Sequence, residues 1–226
     1  EFRRVLFRSA NVIATGAGQN ILFKSRGTIS LADNITVQTA GGSAATIVFW
    51  TSSTGTAGYY MDINNRVCIN TQGGCATPAD TGGADIIIGG GSAGTTYPTG
   101  PVASASTTYA AFASGTGGTA SSITTYYSGG GTININASQS AANQTISFKY
   151  ATTMWANGGQ IVMNSVNTAT TGNWAAIEIM DVAVASNASD FFSSSNSAPA
   201  IRITASSNNG VAFESGAYAN AANLIN

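Results

Sequence analysis

Residues 29–42 read Ile-Ser-Leu-Ala-Asp-Asn-Ile-Thr-Val-Gln-Thr-Ala-Gly-Gly, and residues 61–74 read Met-Asp-Ile-Asn-Asn-Arg-Val-Cys-Ile-Asn-Thr-Gln-Gly-Gly. The two stretches align without a gap. Ile29 meets Met61, Leu31 meets Ile63, Ile35 meets Val67 and Val37 meets Ile69. Thr39 meets Thr71, and Gly41-Gly42 meets Gly73-Gly74. Large apolar residues come in pairs separated by one position. Side chains alternate between the two faces of a strand, so each pair points the same way. The repeated block is therefore strand, turn, strand, stop.

The same grammar runs outward from this block in both directions. Ile21/Phe23, Ile47/Phe49 and Ile86/Ile88 are matching strands that start 26 and then 39 residues apart. Further pairs follow at Ile133/Ile135, Ile146/Phe148, Ile161/Met163, Ile177/Ile179, Ile201/Ile203 and Val211/Phe213. The charged residues Lys24, Asp62, Asp85, Lys149, Glu178 and Arg202 fall beside these pairs, on the outward phase. Short strands punctuated by Gly, Asn, Ser and Thr read as all-β. A sandwich or a barrel also alternates, but hairpin folds have no reason to copy a strand-turn-strand block with its Gly-Gly stop. A parallel β-helix does, because each coil leaves half of its backbone hydrogen-bonding groups for the next coil to satisfy. An irregular period places insertions in turns. The expected register puts Ile21/Phe23 beside Ile47/Phe49 beside Ile86/Ile88, and Ile29/Leu31 beside Met61/Ile63, with every ladder parallel.

Residues 10–91 are expected to form coils, and residues 132–226 to continue them. Residues 92–131 break the pattern and are either a long excursion or irregular coils. Tyr109, Phe112, Tyr126 and Tyr127 favour a loop packed on the flank. Residues 1–9, Glu-Phe-Arg-Arg-Val-Leu-Phe-Arg-Ser, hold three of the eight basic residues. No long apolar run follows them, as a signal peptide requires. They back-translate without mismatch to GAG TTC AGA CGT GTG CTC TTC CGA TCT, which resembles the end of a short-read sequencing adapter. They are read as foreign sequence that should stand apart from the coils.

Composition narrows the function classes. Charged residues are 8% of the 226, against the usual quarter. Without residues 1–9, five basic and eight acidic residues remain, a net of −3, which excludes the basic footprint of a nucleic-acid binder. The apolar fraction, 43%, is arranged periodically, against disorder. No apolar run reaches the 18 residues or more that a transmembrane helix needs.

Residues 19–24 (Gln-Asn-Ile-Leu-Phe-Lys), 28–42, 47–50 (Ile-Val-Phe-Trp) and 85–91 (Asp-Ile-Ile-Ile-Gly-Gly-Gly) resemble the repeats of filamentous-haemagglutinin-like exoproteins. The likeness is best over residues 11–91 and weaker over 132–226. It implies a single-stranded right-handed parallel β-helix, secretion to a Gram-negative cell surface, often by two-partner secretion, and a structural or adhesive role. Implied partners are surface glycans or proteins of a host or neighbouring cell, with adjoining coils of a longer chain. The amino-terminal secretion domain of that family is not visible in this sequence.

The alternative is a carbohydrate-active β-helix, a polysaccharide lyase or hydrolase or a tailspike-like depolymerase. Glycoside hydrolysis usually takes two facing carboxylates. Asp33, Asp62, Asp80, Asp85, Asp181, Asp190, Glu178 and Glu214 are scattered. Asp33 sits beside Asn34, where Asx-turn chemistry explains it. There is no His, so a Ser-His or Cys-His nucleophile is impossible. No catalytic residue, cofactor or metal ligand is assigned. Gly89-Gly90-Gly91 lacks the following Lys-Ser/Thr of a phosphate loop and reads as a turn. An ice- or crystal-binding solenoid needs Thr-x-Thr rows, which Thr36, Thr39 and Thr71 do not make. Cys68 is on the outward phase, and Gly73-Gly74 can turn the chain so that Cys75 reaches it, as a disulfide or as two surface thiols. Trp50 is also on the outward phase. It either packs beneath residues 51–58 or offers a ring to a sugar or a partner protein.

Overall fold

The computed structural model describes residues 2–7, 10–40, 44–56, 58–72, 74–75, 82–93, 96–116, 123–172, 174–180, 189–196, 199–208, 211–216 and 224–225; for 2–7, 214–216 and 224–225 it describes the backbone alone. Among the described residues every regular element is a strand, and all pairings between named strands are parallel. The strands form three faces that the chain visits in a fixed rotation. The first face holds the start of Ile21–Leu31, then Ile47–Thr51, Ile86–Gly90, Ile133–Gln139, Ile161–Asn167 and Ile201–Ser207. The second holds the end of Ile21–Leu31, then Met61–Asn64, Phe112–Thr116, Ile146–Phe148, Ile177–Met180 and Phe213–Gly216. The third holds Val12–Ile13, Thr36–Gln38, Cys68–Asn70, Thr124–Tyr127, Thr152–Trp155, Asp190–Phe192 and Leu224–Ile225. The architecture is all-β, parallel-stranded and solenoid-like.

Register follows the sequence alignment. Ile21 pairs with Ile47 and Ile47 with Ile86; Phe23 pairs with Phe49 and Phe49 with Ile88. Ile29 and Leu31 pair with Met61 and Ile63. One large residue stacked on another at these inward positions leaves little void. Phe23 and Phe49 stack with ring centroids 4.9 Å apart. The pair Val211/Phe213 departs from the pattern: Val211 lies outside the strand that starts at Phe213, and Phe213 is exposed. Among the described residues Phe213 pairs on one side only, with Ile177.

Two segments differ from expectation. Of residues 1–9, the described 2–7 do not stand apart, because Phe2–Phe7 forms a strand parallel to Ile21–Leu31, with Val5 opposite Ile29 and Phe7 opposite Leu31. The outer edge of that strand presents main-chain groups, and an edge accepts an extended segment whatever its origin. Residues 92–131 are not all flanking loop either. Phe112 and Tyr126 are fully buried in the central core, and their strands rejoin the second and third faces. Among the described residues the excursion comprises 91–93 and 96–111, within which Val102–Ser104 extends the first face beside Ala137–Gln139. The paired grammar fails at 112–116 because Ser114 follows Phe112 inward. Tyr126 occupies the room Ser114 leaves, and its hydroxyl lies 2.9 Å from Ser114 Oγ.

Corners carry their own stacked chemistry. Asn34 and Arg66, equivalent in the alignment, both adopt positive φ, 62° and 53°. Asp33 Oδ1 accepts the N–H of Asn65 in the next coil. At the corner from first to second face, buried Ser104, Gln139 and Asn167 each accept the backbone N–H two residues on. The Asn167 amide also donates to Asn143 O at 2.9 Å. These side chains satisfy main-chain groups that the turning chain cannot pair with itself. At the corner into the first face, Gly131 and Gly159 stack so closely that a Cβ on Gly159 would overlap Gly131 O.

Candidate functional site

A cavity of about 140 Å³ opens on the outer side of the second face. Its floor is Asp62 and Ala113, neighbours across one rung. Asp62 faces outward because Met61 and Ile63, either side of it, are buried in the core. Tyr60 and Tyr109 stand at the cavity with rings stacked at 4.3 Å and 14° between planes. Thr116 and, from the next coil, Asn143 and Lys149 complete the rim.

The excursion supplies Tyr109, and the corner network holds it in place. Ser106 Oγ accepts the N–H groups of Thr108 and Tyr109. The buried Gln139 amide donates to Ser106 O at 3.2 Å and to Tyr109 O at 3.1 Å. Tyr109 is therefore anchored through its main chain while the residue as a whole stays 45% exposed.

Asp62 accepts a hydrogen bond from Thr116 Oγ1 at 2.5 Å. Burial raises its pKa above the usual carboxylate value; the Thr116 bond opposes that, and the charge of Asp33 adds to it. Every Lys and Arg beyond residue 9 is described, and none pairs with Asp62. Lys149 is committed elsewhere, its Nζ 3.0 Å from Glu178 Oε2. Glu178, expected to face water, does point away from the core, yet it is buried. Gln144 Nε2 and Ser147 Oγ donate to it at 3.0 and 2.7 Å. Asp62, Ala113, Ser147 and Glu178 are successive rungs. At about 4.8 Å per rung the two acidic backbones are roughly 14 Å apart, beyond the ~9.5 Å carboxyl separation of inverting glycosidases.

The other residues singled out in the sequence fall elsewhere. Cys68 and Cys75 are joined by a disulfide, with Cα atoms 6.1 Å apart. Cys68 lies on the outer third face in file with Thr36, Thr125 and Thr153. Beside that file run Gln38, Asn70, Tyr127, Trp155 and Phe192, so the outer third face carries one broken file of threonines and no second one. Trp50 is buried, and its indole N–H donates to Gly91 O at 2.7 Å, so its contact is with the excursion. Lys24 Nζ sits 4.1 Å from its ring centroid. Gly89 and Gly90 end a strand, and Gly90 bridges Gly100 antiparallel; Gly91 turns the chain at φ 87°. Among the described residues no three His, Cys, Asp or Glu side chains could hold a metal ion together, and no helix is long and apolar enough to cross a membrane. Asp80 and Asp181 lie outside the described residues.

The sequence marks Asp62, Tyr109 and Lys149 singly. Their convergence depends on rung order and on where the excursion returns, neither of which is encoded in a local spacing. No protein-family model matches the chain, and neither a curated protein sequence nor a solved structure matches it.

Proposed function

We propose that residues 10–226 are a stretch of a right-handed parallel β-helix, serving as a structural and adhesive segment of a large secreted or cell-surface protein without chemistry of its own. The observation that carries this reading is the three-face rotation itself. From Val12 to Ile225 each strand lies parallel on its counterpart in the neighbouring coil. Parallel crossovers within a sheet are right-handed in nearly all proteins, which supports that hand here. The Cys68–Cys75 bridge supports an oxidising location. Low charge and a long regular surface suit display better than solution chemistry. Residues 1–9 are, on this reading, translated adapter sequence.

Recovery of the flanking reading frame from the source DNA tests the proposal. Expected are further coils with the paired apolar grammar, an export domain, an altered sequence in place of residues 1–9, and removal of the product from intact cells by protease. A flanking frame that encodes a compact catalytic domain, or a product protected inside the cell, overturns it.

A further inference from the structure

The cavity at Asp62 has an electrostatic imbalance that the scaffold does not need. Its carboxylate sits half-buried with one hydroxyl donor, Thr116, and no cationic partner among the described side chains. The nearby Lys149 and Glu178 neutralise one another at 3.0 Å, so these three side chains carry a net charge of −1. Asp33, the other charge felt by Asp62, is also negative. Beside this carboxylate stand two stacked tyrosine rings. A π face attracts cations within about 6 Å, most strongly when water is displaced. A desolvated carboxylate does the same.

We propose that this cavity binds an organic ammonium group, seated between the Tyr60/Tyr109 stack and the Asp62 carboxylate. The rest of the rim fits that occupant. Ala113 leaves the floor open, and Thr108 and Asn143 make part of the lining polar. A volume of about 140 Å³ holds an alkylammonium head but little more. The site stands independently of the reading of the chain as a display scaffold, since its parts are local to three coils and one excursion. The ammonium could come from a small quaternary compound or from the end of a lysine-like chain, and the chemistry of capture is shared.

Titration of the full chain followed by NMR, at constant ionic strength held with sodium chloride, tests this. The probes are tetramethylammonium chloride, n-butylammonium chloride and glucose. Saturable shifts confined to Tyr60, Asp62, Tyr109 and Lys149 are expected with an ammonium probe, and the tighter of the two identifies the source. Asp62→Asn keeps a partner for Thr116 and should weaken binding about tenfold or more, with the folded spectrum unchanged. Tyr109→Leu should weaken it several-fold, and binding should fade on acidification as Asp62 takes up its proton. Three results would overturn the proposal: no saturation with either ammonium probe, equal saturation with glucose, or undiminished binding by folded Asp62→Asn.

Discussion

Two residues show how a single side chain can be at odds with, or tuned to, its place. Arg66 holds a left-handed φ of 53° at an exposed corner, a conformation costing an ordinary residue roughly 1–2 kcal/mol and Asn much less. Its counterpart one coil earlier is Asn34, with φ 62°. Arg66→Asn is therefore expected to raise stability by about 0.5–1 kcal/mol, measurable as a higher denaturant midpoint at unchanged slope. Tyr126 is the opposite case. Its hydroxyl is fully buried and meets Ser114 Oγ, which in turn lies 3.3 Å from Thr152 Oγ1. Burial drives its pKa up, the Ser114 bond notwithstanding, so the phenol keeps its proton through neutral pH. Tyr126→Phe should cost about 1 kcal/mol with little change in backbone amide shifts. The sequence placed Tyr126 in a flanking loop, because the paired apolar grammar passes over small polar residues such as Ser114 and Thr152. Only the cross-core partner shows that small and large side chains complement one another there.

At the scale of the strand, Met61–Asn64 separates inward from outward in adjacent residues. Ile63 is fully buried and Asp62 opens onto the cavity. Ile63→Asp places an unpaired carboxylate in packed core and is expected to cost several kcal/mol. Asp62→Asn should be neutral or mildly stabilising. The pH dependence has a definite sign. Folding raises the pKa of Asp62 above 3.8, so the folded state holds a proton the unfolded state has released. Its contribution to stability is fully present below the ordinary value and is lost as pH rises through the raised one. Melting curves of the parent chain and of Asp62→Asn should converge in acid and separate toward neutral pH, with the variant the more stable. A reversed order would mean that Asp62 is stabilised as an anion. Alternation alone made the phase of this strand legible. The buried polar corner residues Gln139 and Asn167 were not legible, because their partners are main-chain atoms of neighbouring turns, which leave no trace in side-chain periodicity.

Across the whole molecule, the aligned blocks at 29–42 and 61–74 gave both the rotation of faces and the register. The cavity was beyond reach, since its walls come from residues as far apart as Tyr60 and Lys149. The disulfide spans only seven positions, so reduction should lower stability by at most roughly 2–3 kcal/mol and leave the three faces intact; loss of the strand signal by circular dichroism on reduction would show the bridge to be a prerequisite of the stack. The ladders also set how the molecule bears load. Their hydrogen bonds run along the direction in which coils accumulate, so tension applied across the stack falls on successive inter-coil seams in series instead of being shared. Under a pulling probe the chain should yield seam by seam, like a coil of rope lifted turn after turn. The coil that separates Ser128 from Ala156 has 28 residues and would lengthen by about 95 Å when drawn out, whereas the turn containing residues 91–111 would give a visibly longer step. A segment with that response extends under traction without losing the coils that have not yet opened, a useful mechanical property for anything anchored at one end and attached at the other.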